Sequence, residues 1–286
     1  MFELGVITDE ISQDLGRALE VAAEYDVRAV ELRGIWGSNI VEMAREDAER
    51  ARDLIRERGF RVCSIASAFY KCALPGSQSS GGGAMHLAAE RALDDQMEVL
   101  RRAIEMAHLF EADLIRGFAF WRQDGLTPEL RQQVIEAFEE PVALMEREGL
   151  ILGLENEHAC ALGTGEEVAS VVGAINSPHL RVIWDPGNAF FLDEVPFPNG
   201  YRAVKPYLVH VHLKDAKHNE QGDPMWTVMG GGEIEYVGQF KALAEDGFSG
   251  VASLESHYTS PDGSTEQGSR MCFEGIRRLL REAGLV

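Results

Sequence analysis

Eight times along this chain a short apolar run is followed by a turn and then by a longer stretch rich in Ala, Leu, Glu and Arg. Short apolar runs bounded by turn residues read as strands, and apolar residues at every third or fourth position read as helix. The strand candidates are residues 3–7, 28–33, 61–66, 113–118, 150–156, 181–185, 208–213 and 250–255. Helical patterns fall at residues 14–25, 44–58, 89–110, 128–148, 166–175, 235–244 and 265–282, and the stretch 186–206 is the weakest helix. Gly59 and Gly149 act as helix stops, and Thr127 with Pro128 opens one. Strands that alternate with helices pair in parallel through right-handed crossovers, and eight such units let the sheet close on itself. The pattern therefore predicts an α/β fold, a TIM (β/α)8 barrel, with residues 1–286 as one domain. A doubly wound open sheet would show a glycine-rich nucleotide loop after the first strand, where this chain has "ITDEIS".

Residues 72–89, "CALPGSQSSGGGAMHLAA", are poor in structure signals and follow the third strand. Their Gly and Ser content reads as flexible chain, and the position leaves two readings, a surface loop or a lid over the barrel mouth. The balance of 27 Lys+Arg against 47 Asp+Glu, a formal net charge of -20, repels polyphosphates and argues against nucleic acid as a partner. Cys63, Cys72, Cys160 and Cys272 show no CxxC spacing and suit a reducing compartment. No apolar run approaches the length of a spanning helix, and "MFELGVITDE" lacks the basic and apolar regions of a signal peptide. The expectation is a cytoplasmic protein with no membrane partner.

In a parallel barrel all strand C-termini point to one face, so residues there converge whatever their separation in sequence. Four strand ends carry chemistry. "LENEH" supplies Glu155, "IWDPGNA" supplies Asp185, "HVHLKD" supplies His210 and His212, and "SLESH" supplies Glu255. Side chains alternate along a strand, so His210, His212 and Lys214 share a face. His212, nearer the C-terminal end, is the candidate to meet the carboxylates, and His210 is expected a layer deeper as a hydrogen-bonded core histidine. Any one acid alone reads as an ion pair or a helix cap. Three carboxylates together cannot all stay ionised without a cation, and a Glu/Asp/His/Glu donor set suits a divalent metal such as Mn²⁺, Mg²⁺ or Co²⁺ with positions left open.

With these motifs the sequence resembles the sugar phosphate isomerase/epimerase superfamily, the xylose isomerase-like TIM barrels. The resemblance runs from "GVITDEISQDLGRALEVAAEYDVRAVELR" through "LENEH", "WDPGNA" and "HVHLKDAK" to "SLESH". It implies metal ligands at Glu155, Asp185, His212 and Glu255, with Glu155 and Glu255 doubling as the acid/base pair. It also implies a metal-dependent isomerase or epimerase of a sugar, sugar phosphate or keto-polyol, acting by proton transfer beside a carbonyl through a metal-stabilised enediolate. Mn²⁺ is the first choice of metal, ahead of Mg²⁺, Co²⁺ or Zn²⁺. The expected partner is a small-molecule sugar or keto-polyol, and barrels of this type commonly form homodimers or homotetramers. The alternatives are a lyase acting on an inosose, a dehydroshikimate-like compound or a 3-keto-glycoside, and, in another class, a non-catalytic carbohydrate-binding or accessory subunit.

One departure bears on substrate. Many ketose epimerases and endonuclease IV carry histidine three residues after the sixth-strand Asp, where this chain has Asn188. The remaining substrate-contact candidates are Glu31 at the end of the second strand, Lys71, Arg116, Lys214 and His218, with His158 and His257 beside two of the metal ligands. Arg33 has a salt bridge as its alternative, and Trp36 and Trp121 read either as a wall for a sugar face or as packing.

Overall fold

The computed structural model describes residues 2–74 and 83–286. Its centre is a closed parallel barrel of eight strands: β1 Glu3–Ile7, β2 Ala29–Leu32, β3 Arg61–Phe69, β4 Leu114–Gly117, β5 Ile151–Glu155, β6 Leu180–Trp184, β7 Leu208–Leu213 and β8 Val251–Leu254. Each strand pairs with its sequence neighbours and β1 closes the ring against β8, through Glu3 opposite Val251 and Val6 opposite Leu254. This is the TIM barrel the alternation predicts, a single domain. The strands read as nearly continuous apolar runs because both of their faces are covered, as all four buried residues of β2 show.

The helices present one apolar stripe to the barrel. Helix Leu15–Glu24 buries Leu15, Ala18, Leu19 and Ala22, and helix Thr265–Glu282 buries Phe273, Ile276 and Leu280. Gly153 in β5 lies where a Cβ would come within 2.6 Å of Ile183 on β6, so the interior there has no room for a side chain.

Two departures from the sequence reading have local causes. The helix expected over 89–110 begins only at Gln96, after a turn at Leu93–Asp95, because the buried Gln96 side chain accepts from the Tyr70 amide at the end of β3 and donates to the Arg91 carbonyl. The helix expected over 128–148 breaks at Phe138 into Pro128–Ala137 and Glu139–Glu148. Pro141 lacks an N–H and crowds the carbonyl four residues back, so one continuous helix is excluded. The stretch after Asp185 holds only short pieces, Pro186–Phe190, Pro196–Gly200 and Tyr201–Val204.

Two hairpins were not expected: Gly34–Ile35 with Ser38–Asn39, and Asp215–His218 with Pro224–Thr227. The second turns through "NEQGDP", where the Asn219 side chain accepts from the Gln221 and Asp223 amides and Gly222 takes a positive φ of 89°. Of residues 72–89, read as either a surface loop or a lid, residues 75–82 lie outside the described residues.

Candidate metal centre

The C-terminal ends of β5 to β8 bring Glu155, Asp185, His212 and Glu255 together, all buried, with one donor atom from each within 4.8 Å of the others. His212 Nδ1 lies 3.1 Å from Glu155 Oε1, 3.3 Å from Glu255 Oε2 and 4.0 Å from Asp185 Oδ2. Donors held ~2.1 Å from one ion are roughly 3 Å apart when adjacent and roughly 4 Å apart when opposed, so these spacings fit a single small divalent cation. Asp185 Oδ2 and Glu255 Oε2 are buried and already face one cation, the Lys214 ammonium, so a metal ion held by them would share both oxygens with it.

The other oxygen of each carboxylate is engaged elsewhere. Asp185 Oδ1 accepts from the Asn188 amide at 2.8 Å and caps the helix Pro186–Phe190, so the cap and the cluster each take one oxygen. Asn156 fixes the Asp185 backbone from β5: its Oδ1 accepts from the Asp185 amide and its Nδ2 donates to the Asp185 carbonyl, both at 2.8 Å. Arg116 Nη1 donates to Glu155 Oε2 at 3.2 Å and to Glu255 Oε1 at 3.3 Å. Glu255 Oε1 also accepts from Arg33 at 2.7 Å, and Arg33 is itself held by Asp9 and Glu10.

Lys214 is buried, with Nζ 2.9 Å from Asp185 Oδ2 and 2.8 Å from Glu255 Oε2. Burial alone would raise the Glu255 carboxyl, but Lys214 and His212 outweigh it and hold the group well below the usual carboxylate range. Asp185 behaves oppositely: burial, reinforced by Glu155 and Glu255 and only partly offset by Lys214, pushes it up to about 6. The difference is that His212 and His257 add to Lys214 at Glu255, whereas the neighbouring carboxylates of Glu155 and Glu255 work against Lys214 at Asp185. Burial disfavours a charged His212, yet the carboxylates of Glu155, Glu31 and Glu255 raise it well above its ordinary value.

Several expected substrate contacts are already engaged by other side chains. Glu31 is not at the mouth of the site. It is fully buried beneath the cluster, with Oε1 2.8 Å from His210 Nε2 and 3.3 Å from His212 Nε2, because the inward face of β2 meets β7 across the barrel interior. Asn188 turns inward and donates to Glu155 Oε1 at 3.3 Å and to the Asn156 carbonyl at 3.0 Å. His218 sits on the long hairpin, paired with Glu233 at 3.0 Å and packed on Phe190, so its contacts lie outside the acid cluster. His210 is the core histidine anticipated, bonded to Glu31 and Ser253.

The remaining candidates ring the cluster. Lys71 is buried, 3.4 Å from Glu157 and over the Phe118 ring. His158 Nδ1 lies 2.9 Å from Asn188 Oδ1 and 3.0 Å from Glu157. His257 Nε2 lies 3.6 Å from Glu255 Oε1. Trp226, from the long hairpin, stacks on Phe191 at 3.9 Å and meets the edges of the His158 and His257 rings, with Lys214 Nζ 5.1 Å from its centroid. Trp121 is packing, its indole bonded to Glu90, and Trp36 lies under the Arg50 guanidinium. Sequence reasoning missed Trp226, His86 beside His257, Asn156 and the Asp9–Glu10 pair. Only Asn156, next to Glu155 in "LENEH", carried a local signal.

A family model described as xylose isomerase-like TIM barrel matches residues 19–276. An uncharacterized protein of Methanocaldococcus jannaschii is 26% identical over 174 residues, and the match covers 58% of this chain and 58% of that one, less than two thirds of the relative's length. Among solved structures, a D-allulose 3-epimerase from Methylomonas sp. in complex with D-allulose superimposes with a TM-score of 0.73 at 15% identity, over 98% of this chain and 97% of that one. A probable 3-DHS dehydratase from Bacillus anthracis gives 0.72 at 14% identity, over 96% and 99%. A xylose isomerase-like TIM barrel protein from Mycobacterium smegmatis in complex with magnesium gives 0.67 at 17%, over 95% and 89%. At such identities the likeness is one of fold.

Proposed function

The chain belongs to the xylose isomerase-like TIM barrel family, and we propose that it is a divalent-metal-dependent isomerase or epimerase that moves a proton at a carbon next to the carbonyl of a sugar or keto-polyol. One observation carries this reading: four donor atoms from four successive strand ends, three carboxylate oxygens and one imidazole nitrogen, lie buried within 4.8 Å of one another. Glu155, Asp185, His212 and Glu255 would hold the ion. When bound, such a cation supplies a Lewis acid that draws charge from a carbonyl and its neighbouring hydroxyl. The oxygen-rich donor set with one imidazole favours Mn²⁺, with Mg²⁺, Co²⁺ or Zn²⁺ behind it.

The chain's own groups then do the proton work. Glu155 Oε2 and Glu255 Oε1 lie outside the donor set, and Arg116 spans them, so the two oxygens able to carry a proton are held at a fixed spacing. Removal of a proton by one carboxylate and its return by the other from the opposite face would invert the centre. Lys214, Lys71 and His158 offer donors to the substrate's hydroxyls, and the Trp226 face offers an apolar wall. The proposed partner is a small molecule, and the net charge of -20 weighs against nucleic acid.

A second reading has its own observation. Glu255 Oε1 already accepts from Arg33 and Arg116, whereas Glu155 Oε2 meets Arg116 alone. That asymmetry favours single-base chemistry at Glu155, in which proton removal is followed by loss of a β-hydroxyl, as in a dehydratase. A purely binding role would not need two carboxylates so placed.

The test has two stages. Elemental analysis should find about one divalent metal per chain in wild type and far less in Asp185→Ala; equal content in both overturns the site. Ketoses, inososes and keto-glycosides are then screened in deuterated water with Mn²⁺. Deuterium beside a carbonyl with retention of all hydroxyls supports the first reading, loss of water supports the second, and neither with any substrate leaves the enzyme reading without support.

A further inference from the structure

The most unusual group outside the donor set is Glu31. It is a fully buried carboxylate whose Oε2 has no hydrogen bond. Its Oε1 faces two imidazoles, His210 Nε2 at 2.8 Å and His212 Nε2 at 3.3 Å. His212 thus faces carboxylates on both sides: Nδ1 faces Glu155, Glu255 and Asp185, and Nε2, which has no hydrogen bond, faces the Glu31 carboxylate at 3.3 Å. A buried carboxylate is costly unless it is paired, and the close partners of this one are two imidazoles.

A neutral imidazole has one N–H and one lone pair, and the partner of one nitrogen decides the state of the other. Glu31, an acceptor only, stabilises the form with hydrogen on Nε2. That form aims the Nδ1 lone pair into the acid cluster. The opposite tautomer would place a lone pair against the Glu31 carboxylate and an N–H against the ligand oxygens. His210, bonded to the same oxygen and to Ser253 on β8, keeps Glu31 from turning away.

We propose that Glu31 is a positioning residue that fixes the tautomer and orientation of His212 and thereby sets the affinity of the centre for a divalent metal. The inference rests on the metal-centre reading above. Carboxylates that support a ligating histidine typically contribute ~10–100-fold in metal affinity, and Glu31→Gln, which keeps the shape and removes the charge, should lose that much.

The experiment measures metal binding, not turnover. Chelator-treated wild type and Glu31→Gln are titrated with Zn²⁺ by calorimetry, and the histidine side chains of the Zn²⁺-loaded proteins are assigned by long-range ¹H–¹⁵N spectra. Expected are a Kd weakened ~10–100-fold in the variant and, in wild type, His212 bearing its proton on Nε2 with the metal on Nδ1. A wild type that binds no metal overturns the parent reading together with this one. Equal affinity in the two proteins overturns only the role of Glu31. The wild-type spectrum needs no variant to fold: a proton on Nδ1 of His212 refutes the proposal outright. Two ions per wild-type chain, one of them lost in Glu31→Gln, would make Glu31 a ligand and refute it as well.

Discussion

Replacing Lys214 with Met tests the charge balance of the centre with the metal removed. The Nζ ammonium is buried, 2.9 Å from Asp185 and 2.8 Å from Glu255, and Met keeps much of the aliphatic stem while deleting the charge. Removing one member of a buried ion pair leaves an uncompensated charge and costs about 3–5 kcal/mol. Arg33 and Arg116 still serve Glu255, so most of the penalty falls on Asp185, for which Lys214 is the main compensating cation, ahead of His212, and the lower end of that range is expected. For a domain of this size about 1 kcal/mol moves Tm by ~2–4 °C, so chelator-treated Lys214→Met should melt on the order of 10 °C below wild type. Adding Mn²⁺ should narrow the gap, because the ion replaces the missing charge and so binds the variant more tightly than wild type, where Lys214 competes for the same oxygens. Asp185→Asn in the Lys214→Met background should recover part of the loss, since no charge is then stranded. The control is Lys205→Met, whose partner Asp246 is at the surface and whose loss should cost less than about 1 kcal/mol. Circular dichroism melts of the four proteins with and without Mn²⁺ decide the matter. A metal-free Lys214→Met that melts with wild type shows that the ammonium does not neutralise the acids, and a deficit that Mn²⁺ leaves unchanged assigns the loss to packing.

Glu155→Gln and Glu255→Gln keep an oxygen for the metal and remove the base, so kcat on the true substrate should fall ~10²–10⁴-fold with a smaller change in metal affinity; near-normal turnover in both would eliminate the two-base scheme. In Gly187→Ala the new Cβ would lie 2.7 Å from the Lys214 carbonyl and 2.9 Å from the Trp226 ring, a clash worth about 1–3 kcal/mol that should also lower metal content, read by urea unfolding and elemental analysis. Burial tends to raise Glu10, but Arg33 and His257 outweigh it and bring the carboxyl down to about 2. A depressed folded value means stability present above the unfolded value near 4 and lost as pH falls through about 2. Glu10→Gln should therefore be a few kcal/mol less stable than wild type at pH 7, with the difference disappearing by about pH 2 in denaturant titrations.

The sequence by itself determined the barrel and the four strand-end donors. Strand and helix periods are local properties, and once eight units alternate, parallel closure carries Glu155, Asp185, His212 and Glu255 to one rim whatever lies between them. Composition and period could not say where the neighbouring polar groups would turn. Asn188, a substrate-contact candidate, is aimed at Glu155 by the cap at Asp185, and Glu31, at the end of β2, faces His210 and His212 across the interior. Arg33 meets Glu255, 222 positions away, only because β1 and β2 close against β8. Trp226 reaches the site from a hairpin whose pairing depends on one turn. A residue's type and spacing fix what it can donate or accept, but its partner is chosen by the closed ring, which brings together groups that no local period relates.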